Sequence, residues 1–136
     1  MKRRLFIAIA LGALTAACGG DSATDPIAEV SGTYTLVTVN GSPLPYNAGV
    51  SAGVTVVLVS STATLTAAGK FTALTVLKAT SGTTSSTTND NSAGTWTRAG
   101  NTLTFKDDSD GTVSTALYAA GTLTSNSDGY TRVYRK

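Results

Sequence analysis

The chain has 136 residues, of which 41% are hydrophobic and 13% are charged, and it contains no histidine and a single cysteine. This length corresponds to at most one domain with its own core, and a single cysteine excludes an intramolecular disulfide. The absence of histidine excludes Ser-His-Asp and Cys-His catalysis in their usual forms and leaves zinc without its imidazole ligands. We therefore expect no enzymatic activity, no cofactor and no metal site.

The first 17 residues have the organisation of an export signal. Residues 2–4 are basic, residues 5–14 form a short apolar segment, and residues 15–17 are small. The apolar segment is too short for a membrane-spanning helix and is typical of a secretory signal. We predict a signal peptide over residues 1–17, followed by Cys18.

The run Leu14-Thr15-Ala16-Ala17-Cys18 resembles the lipobox of bacterial lipoproteins. That resemblance implies a diacylglyceryl thioether on Cys18, cleavage before it and acylation of the new amine. Several acyl chains on one residue anchor a protein stably, whereas one chain binds a membrane only marginally. Residues 18–30 would then be the lipidated cysteine and a flexible tether. The alternative is an ordinary secretory signal with an incidental cysteine.

The residue after Cys18 and the charge of the processed chain bear on location and partners. Gly19, not aspartate, follows the cysteine, which by the same resemblance implies the outer membrane, with the domain facing the periplasm. Removal of the leader leaves seven basic residues against eight acidic ones, with no basic run. Nucleic-acid binding therefore has no electrostatic footprint. The membrane, through the acyl chains, is an expected partner, and the sequence leaves the oligomeric state open.

The stretch from Gly32 to Pro45 predicts the first strand of the domain. Tyr34 and Leu36 alternate with threonines at the period of a half-buried strand. Val39 breaks that phase, which indicates a bulge or a change of face before it. Asn40 and the glycine after it then favour a tight turn.

Later segments repeat this pattern of short strands and tight turns. Further strands are predicted over 54–60, 62–66, 71–79, 94–98, 102–106, 112–119, 122–125 and 130–135. Sequential antiparallel pairing is the simplest topology, and a meander removes its open edges best by closing into a barrel. The sequence predicts an all-β domain over residues 31–136, an antiparallel eight- to nine-stranded meander β-barrel, with an open β-sandwich as the alternative.

Two polar stretches interrupt the strands. Residues 80–93 are low in complexity and apolar content, so we expect a long exposed loop, with a ligand-gating lid as the functional alternative. Residues 107–111 carry three aspartates, which invites a calcium-loop interpretation. Lys106 occupies the first place of such a loop and no glutamate lies downstream, so this stretch predicts a turn.

Several short motifs resemble a known family. Gly32-Thr33-Tyr34 is similar to the Gly-x-Trp start of lipocalins and related calycin barrels, and Arg132 resembles the arginine that packs across that aromatic ring. The fuller run 32–45 and the later hairpin motifs resemble uncharacterised bacterial lipoproteins with a lipocalin-like domain; these motifs are 68–71, 94–96 and 100–103. The resemblance implies a lipocalin-like barrel closed by Gly32, Tyr34 and Arg132.

The sequence supports two hypotheses about function. In the first, the lipid-anchored barrel binds a small apolar ligand between its walls. The residues expected to line the interior are Tyr34, Leu36, Phe71, Trp96, Leu103, Phe105 and Leu117. In the second, a structural or interaction lipoprotein has a packed interior and acts through its outer surface or through residues 80–93.

Overall fold

The structure, a computed structural model, describes residues 26–136. Its elements are α1 (Pro26–Val30), β1 (Gly32–Val39), β2 (Ser42–Pro43), β3 (Tyr46–Ser51), β4 (Val54–Leu65), β5 (Lys70–Ser81), β6 (Thr84–Ala99), β7 (Thr102–Asp107), β8 (Val113–Ala119), β9 (Thr122–Ser127) and β10 (Tyr130–Arg135). The predicted signal peptide and Cys18 lie outside the described residues.

Eight of the strands form a closed antiparallel barrel. Strands β4 to β10 pair in chain order, and β1 pairs with β10 on one side and with β4 on the other. Thr35, for example, lies opposite both Arg135 and Thr62. Because β1 joins both ends of the sheet, the barrel is closed. The predicted meander barrel is therefore confirmed, and the alternative of an open β-sandwich is wrong.

The two remaining strands continue the sheet beyond the barrel. The second half of β4 pairs with β1, whereas residues 54–58 pair with β3, and β2 pairs with the end of β1. On the other side of β4, the pairing of β5 with β6 runs to Ser81 and Thr84. The part of the sheet that extends beyond the barrel therefore consists of β3, residues 54–58 of β4, residues 77–81 of β5 and residues 84–88 of β6.

The prediction of a long loop over residues 80–93 is wrong. Gly82 and Thr83 form a two-residue turn, and residues 84–93 belong to β6, paired with β5 without a register shift. The prediction considered only apolar burial, whereas β5 supplies backbone partners that order a polar segment as a strand. Residues 84–91 are exposed, as predicted.

A bulge in β1 turns its apolar residues to one face. The pairing of β1 with β10 shifts register between Leu36 and Thr38. Tyr34, Leu36 and Val39 are consequently all buried, with 0%, 3% and 1% of their surface exposed. The predicted irregularity before Val39 is confirmed.

Two apolar clusters fill parts of the barrel interior. The first packs against α1 and consists of Val30, Tyr34, Leu65, Phe71, Trp96, Leu103, Tyr118 and Leu123. The second centres on Leu36, Val39 and Leu58. It is covered by Leu44, in the connection between β2 and β3, and by Tyr46, the first residue of β3. In a meander, successive turns lie at alternate ends. The β4–β5, β6–β7 and β8–β9 turns therefore share the end capped by α1, the helix end, and the β7–β8 turn lies at the opposite, open end.

Candidate ligand cavity

The helix end of the barrel is closed by α1. Val30 is fully buried, and its carbonyl oxygen accepts a hydrogen bond from the Tyr34 hydroxyl at 2.5 Å. The carbonyl oxygen of Glu29 accepts bonds from Lys136 Nζ at 3.0 Å and from the Tyr118 hydroxyl at 3.4 Å. Residues 26–30, which the sequence placed in the tether, are therefore part of the barrel domain.

A cavity of about 330 Å³ lies between the first cluster and the open end. It lies at the lower limit of typical ligand pockets, about 300–1,000 Å³. Its apolar wall consists of Ala63, Phe71, Ala73, Phe105, Ala116, Leu123 and Tyr134, and its polar lining consists of Ser92, Asp107, Asp110, Thr112, Ser114 and Ser125. The wall can accommodate an apolar group, and the polar residues surround the route to solvent.

Small side chains leave this space unfilled. Ala73, Ala116 and Ser125 lie on inward positions of β5, β8 and β9, where larger residues would reach across the barrel. Phe71 and Phe105 pack edge to face, with ring centroids 5.4 Å apart. The fixed rings and small neighbours together give a preformed apolar cavity.

Two aspartates line the mouth of the cavity, Asp107 at the end of β7 and Asp110 in the β7–β8 turn. Asp107 Oδ1 accepts hydrogen bonds from the backbone N–H and the hydroxyl of Ser109, at 2.7 and 2.5 Å. Asp110 Oδ1 accepts one from the backbone N–H of Thr112 at 2.8 Å, and this bond lowers the pKa of Asp110. Asp110 is therefore ionised at neutral pH, and the predicted turn over 107–111 is confirmed.

A small hydroxyl network lies deeper, beside the apolar wall. Ser61, only 3% exposed, is 2.9 Å from the Thr75 hydroxyl and 3.4 Å from the Tyr134 hydroxyl. Tyr134 also lines the cavity. Hydroxyls both donate and accept, so this network offers a hydrogen-bonding group of either kind beside a bound ligand.

Six of the seven residues predicted to line the interior point inward, but they divide into two groups. Phe71 and Phe105 do line the cavity. The others that point inward are packed in the two clusters and do not border the cavity; they are Tyr34, Leu36, Trp96 and Leu103.

The prediction for Leu117 is wrong. This side chain is 56% exposed, whereas its neighbours Ala116 and Tyr118 are only 6% exposed each. Successive side chains of a strand point to opposite faces, so one residue of β8 had to face outward. The hydroxyl of Tyr118 bonds the Glu29 carbonyl oxygen, and Ala116 borders the cavity. Both contacts require the phase that turns Leu117 to solvent.

The predicted packing of Arg132 across Tyr34 is also wrong. Arg132 pairs with Val39, five positions from Tyr34, which is roughly 17 Å along the strand. Its guanidinium carbon lies instead 5.4 Å from the centroid of the Tyr130 ring, and its Nη1 donates to the Ser127 hydroxyl at 3.0 Å. Gly32 and Tyr34 do lie in the β1–β4 seam that closes the barrel.

The sequence prediction missed eleven of the thirteen residues that line the cavity, which are Ala63, Ala73, Ser92, Asp107, Asp110, Thr112, Ser114, Ala116, Leu123, Ser125 and Tyr134. Apart from Ser92, which lies in the stretch predicted as a loop, their strands or turn were predicted, but nothing local distinguishes an inward alanine from an outward one. The one signal available was the alternation of apolar and polar residues around Leu123 in β9 and Tyr134 in β10, which pair with each other and share the inward face.

No metal centre or spanning helix accompanies the cavity in the described residues. Within 26–136, no three His, Cys, Asp or Glu side chains are close enough together to hold a metal ion. The helix found in this part of the chain, α1, has five residues, too few to cross a membrane.

No protein-family model and no curated protein matches this chain. The resemblance to lipocalins therefore rests on the sequence motifs, with which the closed eight-stranded barrel is compatible.

Proposed function

We propose that this protein is a lipid-anchored, lipocalin-like barrel of the bacterial cell envelope that binds a small apolar ligand without transforming it. The observation that carries the proposal is the cavity of about 330 Å³, with its wall of aromatic and aliphatic side chains. Cavities of this kind are the usual sites for small molecules in proteins. The chain has no histidine, and the ionisable side chains among residues 26–136 that border the cavity are two aspartates and Tyr134, which favours binding over catalysis.

Filling the cavity tests the binding proposal. Ala73 lines the cavity and is partly exposed, so Ala73→Leu places its added carbons in free space. The matched control is Ala119→Leu, at an exposed position near the helix end. A neutral apolar dye should bind the wild type and the control but not Ala73→Leu, with native mass spectrometry reporting any co-purifying molecule. Equal dye binding by all three proteins would contradict the proposal.

Anchoring rests on the lipobox-like run before Cys18 and has its own test. Cys18→Ser should abolish uptake of a fatty acid analogue and leave the domain folded, since Cys18 precedes both α1, which begins at Pro26, and the first barrel strand, which begins at Gly32. Membrane fractionation of both proteins should show that the variant loses its anchor. If the wild type incorporates no label, residues 1–17 are a plain export signal and the barrel is secreted.

A structural or interaction role is the second candidate, and the free edge of β6 favours it. Before Gly94, which pairs with Asp107, residues 84–93 of β6 pair with β5, and no other strand of the described residues 26–136 pairs with them. Residues 84–93 contain one charged residue, Asp90, and no proline, so the edge lacks the usual devices that discourage strand addition. Affinity purification from envelope extracts, with Thr87→Pro as the edge-blocking variant, tests this role.

A further inference from the structure

The charges at the cavity mouth are all of one sign. Among residues 26–136, Asp107 and Asp110 are the charged residues that line the cavity, and no lysine or arginine of this range borders it. Each carboxylate uses Oδ1 to hold the turn, and the Thr112 side chain is a further hydrogen-bond donor to Asp110. The one ion pair of this part of the chain, Arg98 to Glu29, lies at the helix end.

Neighbouring cations do not offset these carboxylates. Lys106 is exposed and points to the outer face of β7, because Phe105 and Asp107 on either side of it border the cavity. Arg132 is on the inner face, opposite Ser125, but its guanidinium lies over Tyr130 and bonds Ser127. Asp108, in the same turn, adds another negative charge.

The geometry points to a specific class of ligand: we propose that the cavity selects compact aromatic or apolar amines, with the ring against Phe71 and Phe105 and the ammonium at Asp107 and Asp110. This inference rests on the proposed binding function and adds the chemistry of the ligand. An ammonium has three donors. The two carboxylates and the hydroxyls of Thr112 and Ser114 offer acceptors at the same mouth.

The expected preference is modest because the mouth is open to solvent. Exposed ion pairs contribute little free energy. Here they should raise the affinity for an amine above that for the matching alcohol by about two- to fivefold. A carboxylate of the same shape should bind weakest, since it meets two like charges. Added salt should reduce the differences in affinity among the three ligands, because it screens exposed charges.

The experiment compares three ligands that share one ring system: 1-naphthylmethylamine, 1-naphthalenemethanol and 1-naphthoate. The full chain carrying Cys18→Ser avoids detergent, and ligand fluorescence gives each affinity at low and high salt. The test variant is Asp107→Asn with Asp110→Asn, since asparagine keeps an oxygen that can hold the turn. The matched control is Asp128→Asn, in the β9–β10 turn. Near-ultraviolet circular dichroism verifies that each variant is folded.

The expected order of affinity, from tightest to weakest, is amine, alcohol, carboxylate. The preference for the amine should be lost in the double variant and kept in Asp128→Asn. Equal affinities in the wild type, or an amine preference that survives in the double variant, would overturn the inference. The binding proposal then still stands if Ala73→Leu abolishes binding of the alcohol. If none of the three compounds binds the wild type, both the inference and the binding proposal fail.

Discussion

The hydroxyl of Tyr34 donates to the backbone carbonyl oxygen of Val30 at 2.5 Å, and both residues are fully buried. This bond fixes the end of α1 to the first barrel strand. Ser31, between them, also binds back to the helix through Ile27. The closing of the helix end is thus encoded within a few residues of the start of the barrel.

Removing that hydroxyl should destabilise the domain. Tyr34→Phe keeps the ring in the first cluster but leaves the Val30 carbonyl oxygen without this donor in a buried site, at a cost of about 1–3 kcal/mol. Urea denaturation measures the loss. Tyr46→Phe is the control, since its hydroxyl accepts one exposed bond from Asn40 at 3.3 Å and its loss should cost far less. Equal costs for the two variants would contradict a special role for Tyr34.

Stability should also fall at high pH because of Tyr34. Burial, the largest cause, and the nearby Tyr118 and Glu29 raise the pKa of Tyr34 from 10.0 to about 12. The folded state therefore keeps the proton that the unfolded chain loses. This contribution is complete below pH 10 and is lost as the pH rises towards 12. Urea midpoints across that range should decline less steeply for Tyr34→Phe than for the wild type.

A close approach of strands at Gly94 makes a further prediction. A Cβ at this position would lie 2.0 Å from the Lys106 carbonyl oxygen and 2.8 Å from Phe71 Cε1. Backbone cannot move aside as a side chain can, so Gly94→Ala should cost ~3 kcal/mol or more. Gly82→Ala is the comparison: its Cβ meets nothing within 4 Å, and only its positive φ of 56° costs about 1–2 kcal/mol. Thermal unfolding of both variants measures the difference.

The sequence predicted the barrel where local pattern and tertiary contact agree. In β1 the alternation of Tyr34 and Leu36 and the break before Val39 fix both the inner face and the bulge. In β8 the adjacent apolar residues Leu117 and Tyr118 fit either phase. Contact with α1, distant in the chain, selected the phase that buries the tyrosine.

The cavity mouth could not be predicted for a different reason. Turn residues identify the β7–β8 turn, but its position over the interior depends on how the strands are staggered around the closed barrel. That stagger brings Asp107 and Asp110 near Ala73 and Ser92, which precede them by 15 to 37 residues. No local pattern contains that relationship.

If Cys18 carries the anchor, the fold determines which end of the barrel faces the membrane. Pro26 is eight positions after Cys18, a path of at most roughly 29 Å when extended. Because α1 is bonded to the helix end, that end should face the bilayer. The cavity mouth should then face away from it and take its ligand from the aqueous compartment.

Energy transfer from tryptophan to a dansyl-labelled lipid measures this orientation. Trp96, the sole tryptophan, lies at the helix end, where its Nε1 donates to the Thr66 carbonyl oxygen at 3.1 Å. Moving the donor to the open end with Trp96→Phe and Val113→Trp uses a position that is 59% exposed. Transfer in proteoliposomes should be stronger for the wild type, and Cys18→Ser should abolish it for both donors. Equal or reversed efficiencies would mean that the barrel is not held with its helix end toward the membrane.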